Sequence, residues 1–259
     1  MDERKFQQFQ QLVDSHSRIV FFGGAGVSTA SGIPDFRSAD GLYNTKDIRF
    51  EQYEPEYLLS HECLYREPKV FFEFYRQKMD VRGIEPNVTH YRLAELERAG
   101  KLSAVVTQNI DGLHQKAGSR TVYEIHGTTT RSYCTKCGRV YPEAYLFECG
   151  GDIPRCESCG GMVRPDVTMY GESLPEEAFS RAFQAINQAD MLIIAGTSLV
   201  VYPAAGMVNY FRGDALVLLN MQPTARDRGA DLVIRDPMQE VFERLVVRES
   251  GSPAPSVVQ

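Results

Sequence analysis

The chain has 259 residues, 43% of them hydrophobic and 24% charged, with a net charge of −6. That composition fits a globular protein long enough for one large domain, or a large domain with a smaller one attached, and its acidic balance gives no global attraction to nucleic acid or anionic lipid. No run approaches the roughly 20 apolar residues of a bilayer-spanning helix. The polar start MDERKFQQFQQLVDSH has no apolar signal core, so a cytoplasmic chain without membrane contact is expected.

In chain order, residues 4–15 read as an amphipathic helix with Phe6, Phe9, Leu12 and Val13 on one face. Residues 18–22 (RIVFF) form a short apolar run stopped by Gly23-Gly24, the pattern of a buried parallel strand. Similar runs recur at 103–107, 190–195 and 215–220, with helical patterns at 88–99, 176–188 and 203–211. A strand near 231–234 and a helix over 237–246 close the series. Strands alternating with helices predict an α/β fold on a parallel sheet. Two segments break the alternation. Residues 32–81 hold a Gly/Pro-rich loop and aromatic helical stretches, and 128–166 carry cysteine pairs with frequent Gly and Pro. The tail 250–259 is expected to be disordered.

Four of the six cysteines form two Cys-x-x-Cys pairs, Cys134/Cys137 and Cys156/Cys159, separated by 18 residues. In a reduced compartment this spacing points to zinc, one ion per chain. Four thiolates complete a tetrahedron with no open position, so the site is structural rather than catalytic. Gly138 and Gly160 follow the second cysteine of each pair, where a knuckle turn favours positive φ. Cys63 and Cys149 are left as plain thiols.

Gly24-Ala25-Gly26 after the first strand is like the start of a dinucleotide fingerprint, but Thr29 stands where a third glycine belongs. Taken alone, the glycines suit a ligand-free turn equally well. The chain then runs into Ser31-Gly32-Ile33-Pro34-Asp35-Phe36-Arg37-Ser38, a loop of cofactor-covering type, where a dehydrogenase would continue into helix and strand. Hydride transfer is therefore disfavoured.

GAGVSTASGIPDFRS (24–38), TQNIDGLH (107–114), Ile125-His126-Gly127, the four cysteines, RPDVTMYGE (164–172) and GTSLVVYPA (196–204) stand in the order of one family. Over 1–248 the chain resembles the NAD-dependent sirtuin deacylases of bacterial type. The resemblance implies a sirtuin domain over 1–249: a Rossmann-like part (about 1–31, 82–127 and 167–249), and a small domain (about 32–81 and 128–166) built from a helical module and a zinc ribbon. It also implies that Gly24, Ala25 and Gly26 approach the pyrophosphate of NAD with Thr29 and Arg37, and that Phe36 shields the reacting sugar carbon. Ile110 and Asp111 are expected at the carboxamide, Gln108 and Asn109 at the nicotinamide ribose. Gly196, Thr197, Ser198 and Asn220 are expected at the adenosine half.

By the same resemblance His126 is the general base and Asn109 its catalytic neighbour; an imidazole can take and return a proton near neutral pH. His16 and His61 carry no motif, and His90 and His114 read as helix-associated structural residues. The family's reaction moves the acyl group of a protein lysine to ADP-ribose, releasing nicotinamide and O-acyl-ADP-ribose. An acylated peptide is expected to add a strand between Thr168, Tyr170, Gly171 and Glu172 on one side and Leu199 and Val200 on the other. Tyr170 and Tyr202 read equally well as core aromatics. Thr168 and Met169 replace a more usual Val and Phe, with small effects expected.

Tyr75 and Lys78 share a helix face three residues apart. Succinyl-preferring relatives carry Tyr and Arg at that spacing, so a Lys here points to neutral acyl groups such as acetyl. The bland alternative is that Tyr75 packs in the module and Lys78 is solvated. A protein ADP-ribosyltransferase of the same family is the competing enzyme reading, disfavoured by His126. A nucleic-acid-binding ribbon is the competing non-enzyme reading, but 128–166 balances five basic against five acidic residues. A monomer acting on acylated protein lysines is expected, with no nucleic-acid partner.

Overall fold

Alternate residues of the apolar strands face opposite ways, and each face needs its own cover of helices. The computed structural model describes residues 2–36, 41 and 49–249; Arg37 and the 250–259 tail lie outside the described residues. Helix α1 (Glu3–Ser15), capped by the Asp2 carboxylate on the Arg4 and Lys5 N–H groups, leads into β1 (Ile19–Gly23). Two 3-10 turns, Ala25–Val27 and Thr29–Ser31, replace the long helix of an ordinary dinucleotide fingerprint. Three helices follow, α2 (Pro55–Leu58), α3 (His61–Arg66) and α4 (Pro68–Lys78), and then α5 (Val88–Arg98), β2 (Leu102–Thr107), α6 (Leu113–Lys116) and β3 (Val122–Glu124). The cysteine-bearing segment forms β4 (Gly127–Cys134), β5 (Val140–Pro142), α7 (Tyr145–Glu148) and β6 (Val163–Val167). Helix α8 (Glu176–Gln188), β7 (Met191–Ala195), β8 (Ala215–Leu219), β9 (Leu232–Ile234) and α9 (Met238–Arg244) complete the chain.

The large sheet is wholly parallel in the order β3-β2-β1-β7-β8-β9, the doubly wound arrangement whose direction of winding reverses between β1 and β7. Ile19 and Phe21 of β1 face Phe9, Leu96 and Phe242 from α1, α5 and α9. Val20 and Phe22 face Ala182 and Ile186 of α8 and the segment around Met207. That last segment was expected as a helix over 203–211 and forms a 3-10 helix, Ala204–Tyr210. Gly206 and Asn209 favour the α-helix poorly, and seven residues are too few for propensity to prevail over packing.

The two excursions from the sheet share a third core. Phe71, Phe72, Phe74 and Tyr75 of α4 pack with Cys134, Tyr141, Leu146 and Val163 of the cysteine-bearing segment, whose strands pair antiparallel as β5-β4-β6. Arg76 ties the pieces together, donating to the carbonyls of Leu146 (2.7 Å) and Gly151 (3.1 Å). Among the described residues no helix is long and apolar enough to cross a membrane.

Candidate active site and metal centre

At the reversal point the ends of β1 and β7 touch. The Gly24 N–H donates to the Ala195 carbonyl (3.1 Å) and the Gly26 N–H to the Gly196 carbonyl (2.9 Å). A Cβ at Gly24 would lie 2.7 Å from Thr197 Cβ, and one at Gly26 would lie 2.8 Å from Gly196 Cα. Glycine is thus required where two backbone turns interlock, and the same bare backbone lets a phosphate come close. Ala25 sits half-buried between them, and exposed Thr29 bonds back to the Gly26 carbonyl (3.1 Å). The turn is held from behind by Asn87, the cap of α5, whose Nδ2 donates to the Val27 carbonyl (2.8 Å) and Ser31 Oγ (2.9 Å).

After β2 the chain turns through a hydrogen-bonded cluster. Ser28 Oγ donates to Asp111 Oδ2 (2.6 Å) and accepts from Asn109 Nδ2 (3.0 Å). Asp111 Oδ1 accepts the Leu113 N–H (2.9 Å). Burial raises the Asp111 carboxyl above its ordinary range, against the opposing pull of the Ser28 and Leu113 donors. The Ile110 carbonyl is held twice by Thr129, through N–H and Oγ1 at 2.8 Å each, while its side chain and that of Phe36 pack on the core shared by α4 and the cysteine-bearing segment. Gln108 Nε2 donates to Thr197 Oγ1 (2.9 Å), linking this cluster to the β7 turn.

His126 follows β3 on the same side. Its Nδ1 lies 3.0 Å from the Gln108 carbonyl, which can only accept, so the neutral ring carries its proton on Nδ1 and keeps Nε2 as the base. Burial lowers His126 below its ordinary 6.5, and the Gln108 bond opposes that shift. Gly127, next to the ring, is required by its own backbone. Its φ is 78°, and a Cβ there would lie 2.2 Å from the Asp166 carbonyl oxygen, where β4 crosses to β6. The Thr168 N–H donates to the His126 carbonyl (2.9 Å), which brings the 168–172 segment to the histidine.

In that segment the Glu172 carboxylate is engaged by the protein's own donors: it takes two bonds from buried Arg164 (2.5 and 2.8 Å), one from His61 Nδ1 (2.9 Å) and one from the Met169 N–H (2.9 Å). Burial alone would raise this acid, but these donors outweigh it and bring it down to about 2. Tyr170 and Tyr202 are not core aromatics, since both are exposed, Tyr202 by 73%. Tyr170 is joined to the α2–α3 junction by the His61 N–H to its carbonyl (2.9 Å) and by its own N–H to the Leu59 carbonyl (3.0 Å). Exposed Gly171 follows it. After β7, Ser198 and Val200 are exposed, and Leu199 is the one non-glycine residue with positive φ (56°) among those described. Such strain is characteristic of functional loops.

Asn220 closes the β8 end, but its side chain is engaged with the Thr197 backbone, accepting its N–H (3.1 Å) and donating to its carbonyl (2.6 Å). Tyr75 is sealed in the core that α4 shares with the cysteine-bearing segment, 1% exposed, between Phe71 and Phe147, with no hydrogen bond to its hydroxyl among the described residues. Lys78 lies half-buried at the end of α4. Ser28, Asn87 and Arg164 support this site and were not singled out from the sequence. Ser28 stands inside the glycine-rich motif, where its hydroxyl was a legible signal; Asn87 offered only the signature of a helix cap.

The four ribbon sulfurs all lie within 4.8 Å of one another, with Cys134–Cys159 at 3.5 Å and Cys137–Cys156 at 3.6 Å. A tetrahedral zinc with Zn–S of about 2.3 Å sets its sulfurs about 3.8 Å apart, so the cluster fits that ion. Gly138 and Gly160 take φ of 72° and 69°, as the knuckles require. Cys63 is fully buried and burial pushes its thiol up to about 12, an inert group.

A doubly wound sheet, interlocked glycine turns at its reversal point and an oriented histidine beside them define a catalyst of the nucleotide-binding α/β class, stapled by a four-thiolate centre. The chain belongs to the Sir2 family, whose pattern matches residues 24–203. It is 51% identical over 242 residues to an NAD-dependent protein deacetylase of Clostridium acetobutylicum, covering 93% of this chain and 98% of that one. A protein of the same description from Clostridium perfringens is 51% identical over 248 residues, with 95% and 100% covered. Among solved structures, a histidine-to-alanine Sir2 variant with a deacetylated p53 peptide and 3'-O-acetyl ADP ribose superposes with a TM-score of 0.84. Its sequence is 33% identical, with 92% of this chain and 96% of that one covered. Sir2 with a p53 peptide and NAD+ gives 0.81 at 34% identity, with the same coverage.

Proposed function

We infer that the chain is an NAD-dependent protein-lysine deacylase, a deacetylase first, which releases nicotinamide and O-acyl-ADP-ribose. The observation that carries this reading is the orientation of His126, with its Nε2 left basic beside the Ser28–Asn109–Asp111 cluster at the strand ends. NAD, when bound, supplies an ADP-ribosyl centre whose bond to nicotinamide is broken. Gly24, Ala25 and Gly26 receive its phosphates with Thr29 and Arg37, while Gly196, Thr197, Ser198 and the Asn220 staple form the adenosine end. Asp111 and Ile110 hold the carboxamide, with Gln108 and Asn109 at the adjoining ribose. Phe36 excludes water from the sugar carbon. His126 Nε2 takes a proton from a ribose hydroxyl and so activates that oxygen toward the acyl carbon.

The acylated peptide lies between Thr168–Gly171 and Leu199–Val200, held through backbone, so little side-chain information is read. The Rossmann-like part and the small domain divide as the two sets of cores do, with the acyl-lysine entering between them. Cys134, Cys137, Cys156 and Cys159 hold one structural zinc. The enzyme works as a cytoplasmic monomer, a transferase in its bond-making and a hydrolase in its net effect, without nucleic acid. Incubation with NAD and a panel of acyl-lysine peptides, followed by mass spectrometry, tests the reading. Nicotinamide must appear only with acylated peptide; a peptide gaining the mass of ADP-ribose instead would establish the transferase alternative.

A further inference from the structure

The two cysteine knuckles are built alike, but their sulfurs are not equally served. Cys134 Sγ receives the Lys136 N–H (3.4 Å) and that of Cys137, and Cys156 Sγ receives the N–H groups of Ser158 and Cys159. Cys156 has one donor more. The Tyr141 hydroxyl, on β5, lies 3.1 Å from its sulfur. The Glu157 N–H donates to the same hydroxyl oxygen at 3.0 Å, which occupies a lone pair and leaves the phenolic proton for the sulfur. Tyr141 is 4% exposed, so water scarcely competes for that bond. Its ring packs against that of Tyr145 at 4.2 Å between centroids, tilted by 30°, and the Arg139 guanidinium lies 5.3 Å over its face. Ring packing and the cation fix the ring whether or not the hydroxyl is present. Among the described residues, Cys134 has no hydroxyl donor of this kind.

Four thiolates around one divalent ion leave two negative charges in a small module, and outer donors disperse that charge and fix the ligand. A hydrogen bond also takes electron density from the sulfur lone pair through which zinc is exchanged or an electrophile attacks. We propose that Tyr141 is a zinc-retaining residue: its hydroxyl holds Cys156 as the slowest-leaving and least nucleophilic ligand of the centre. This rests on the zinc reading of the four cysteines, and the test separates the two.

The full chain and its Tyr141→Phe variant are first compared for zinc content, then for zinc release to a chromogenic chelator under native conditions. Tyr145→Phe is the matched control, because the Tyr145 hydroxyl bonds the Arg155 carbonyl and no sulfur. The Tyr141→Phe protein is expected to hold one zinc but release it roughly 10- to 100-fold faster, the range for lost outer-shell partners. Tyr145→Phe should stay near the wild-type rate. In cobalt-substituted protein the thiolate-to-metal charge-transfer band of Tyr141→Phe should move to lower energy, since its sulfur has regained electron density. Equal release rates in Tyr141→Phe and wild type, equal acceleration in both variants, or an unmoved band overturns the role of Tyr141. Wild-type protein without zinc overturns the metal reading itself.

Discussion

At the scale of single residues, the site is a set of polar atoms whose partners are nearly all assigned. With Nδ1 committed to Gln108, His126 has one nitrogen for chemistry. His126→Ala should lower deacylation by on the order of 10²–10⁴, with NAD binding measured by calorimetry little changed; near-normal turnover would remove His126 from the mechanism. In the proposed role the working form of His126 is the neutral ring, and burial depresses its pKa, so activity should hold as pH falls through 6.5 and decline only below it. Ser28 is the residue that the sequence reading passed over. Its hydroxyl is the donor that satisfies Asp111 Oδ2, and bonds to a charged partner contribute about 1.5–3 kcal/mol. Ser28→Ala should therefore lower kcat/KM for NAD roughly 10- to 100-fold, and an unchanged value would show that Asp111 keeps its place without it. For acyl choice, Tyr75 is buried and Lys78 offers a single point charge, so acetyl peptides should turn over faster than matched succinyl peptides. Succinyl preference would reverse the ranking, and an unchanged succinyl rate in Lys78→Ala would place that amine outside the pocket.

At the scale of elements, the strands were legible because four of them are continuous apolar runs, buried on both faces, and the observed β1, β2, β7 and β8 fall within one residue of the expected bounds. The cysteine knuckles were legible because their geometry is local. What the sequence hid is non-local: the Glu172 carboxylate reads as a groove residue until Arg164 and His61 are seen on it, and the Ala204–Tyr210 segment reads as an α-helix until its packing is known. Helices α5 and α6 carry another such pair. His90, whose Nδ1 accepts the Asn87 N–H, meets His114 at 4.7 Å between ring centroids, both rings buried. Burial lowers His90 to about 4 and His114 well below its ordinary 6.5. The unfolded chain then binds more protons below pH 6.5, so stability contributed by neutral rings is complete above that pH and is lost as pH falls toward 4. His90 alone should cost about 2 kcal/mol at pH 5. The half-buried acids Asp111, Glu124 and Glu143 are shifted up and oppose this trend, so the informative quantity is a difference. Urea midpoints at pH 7.5 and 5.0 should fall more steeply in wild type than in a His90→Gln, His114→Gln double variant. Parallel slopes would mean that the histidines do not carry the acid sensitivity.

At the scale of the whole molecule, three cores do different work. Two sandwich the parallel sheet and depend on no metal ligand, while the third combines α3 and α4 with the ribbon and contains Cys134 and Cys156 themselves. Phe36 and Ile110, which our proposal places at the cofactor, pack on that third core rather than on the sheet. Zinc loss should therefore act selectively. A structural zinc contributes on the order of 10 kcal/mol to the module that holds it, as much as a whole small domain's stability. Without it the ribbon should open and α4 should lose the surface that Tyr141, Leu146 and Val163 supply. Prolonged chelation followed by hydrogen exchange should show fast exchange over the described part of 49–79 and over 127–167, with β1, β2, β7 and β8 still protected. Deacylation should stop in that state, because Phe36 and Ile110 lose their support, even though the glycine turns at the sheet survive. Restored zinc should return both protection and turnover. Uniform loss of protection across the sheet would instead show a single cooperative unit, and unaltered protection in the ribbon would show that the four cysteines hold it without metal.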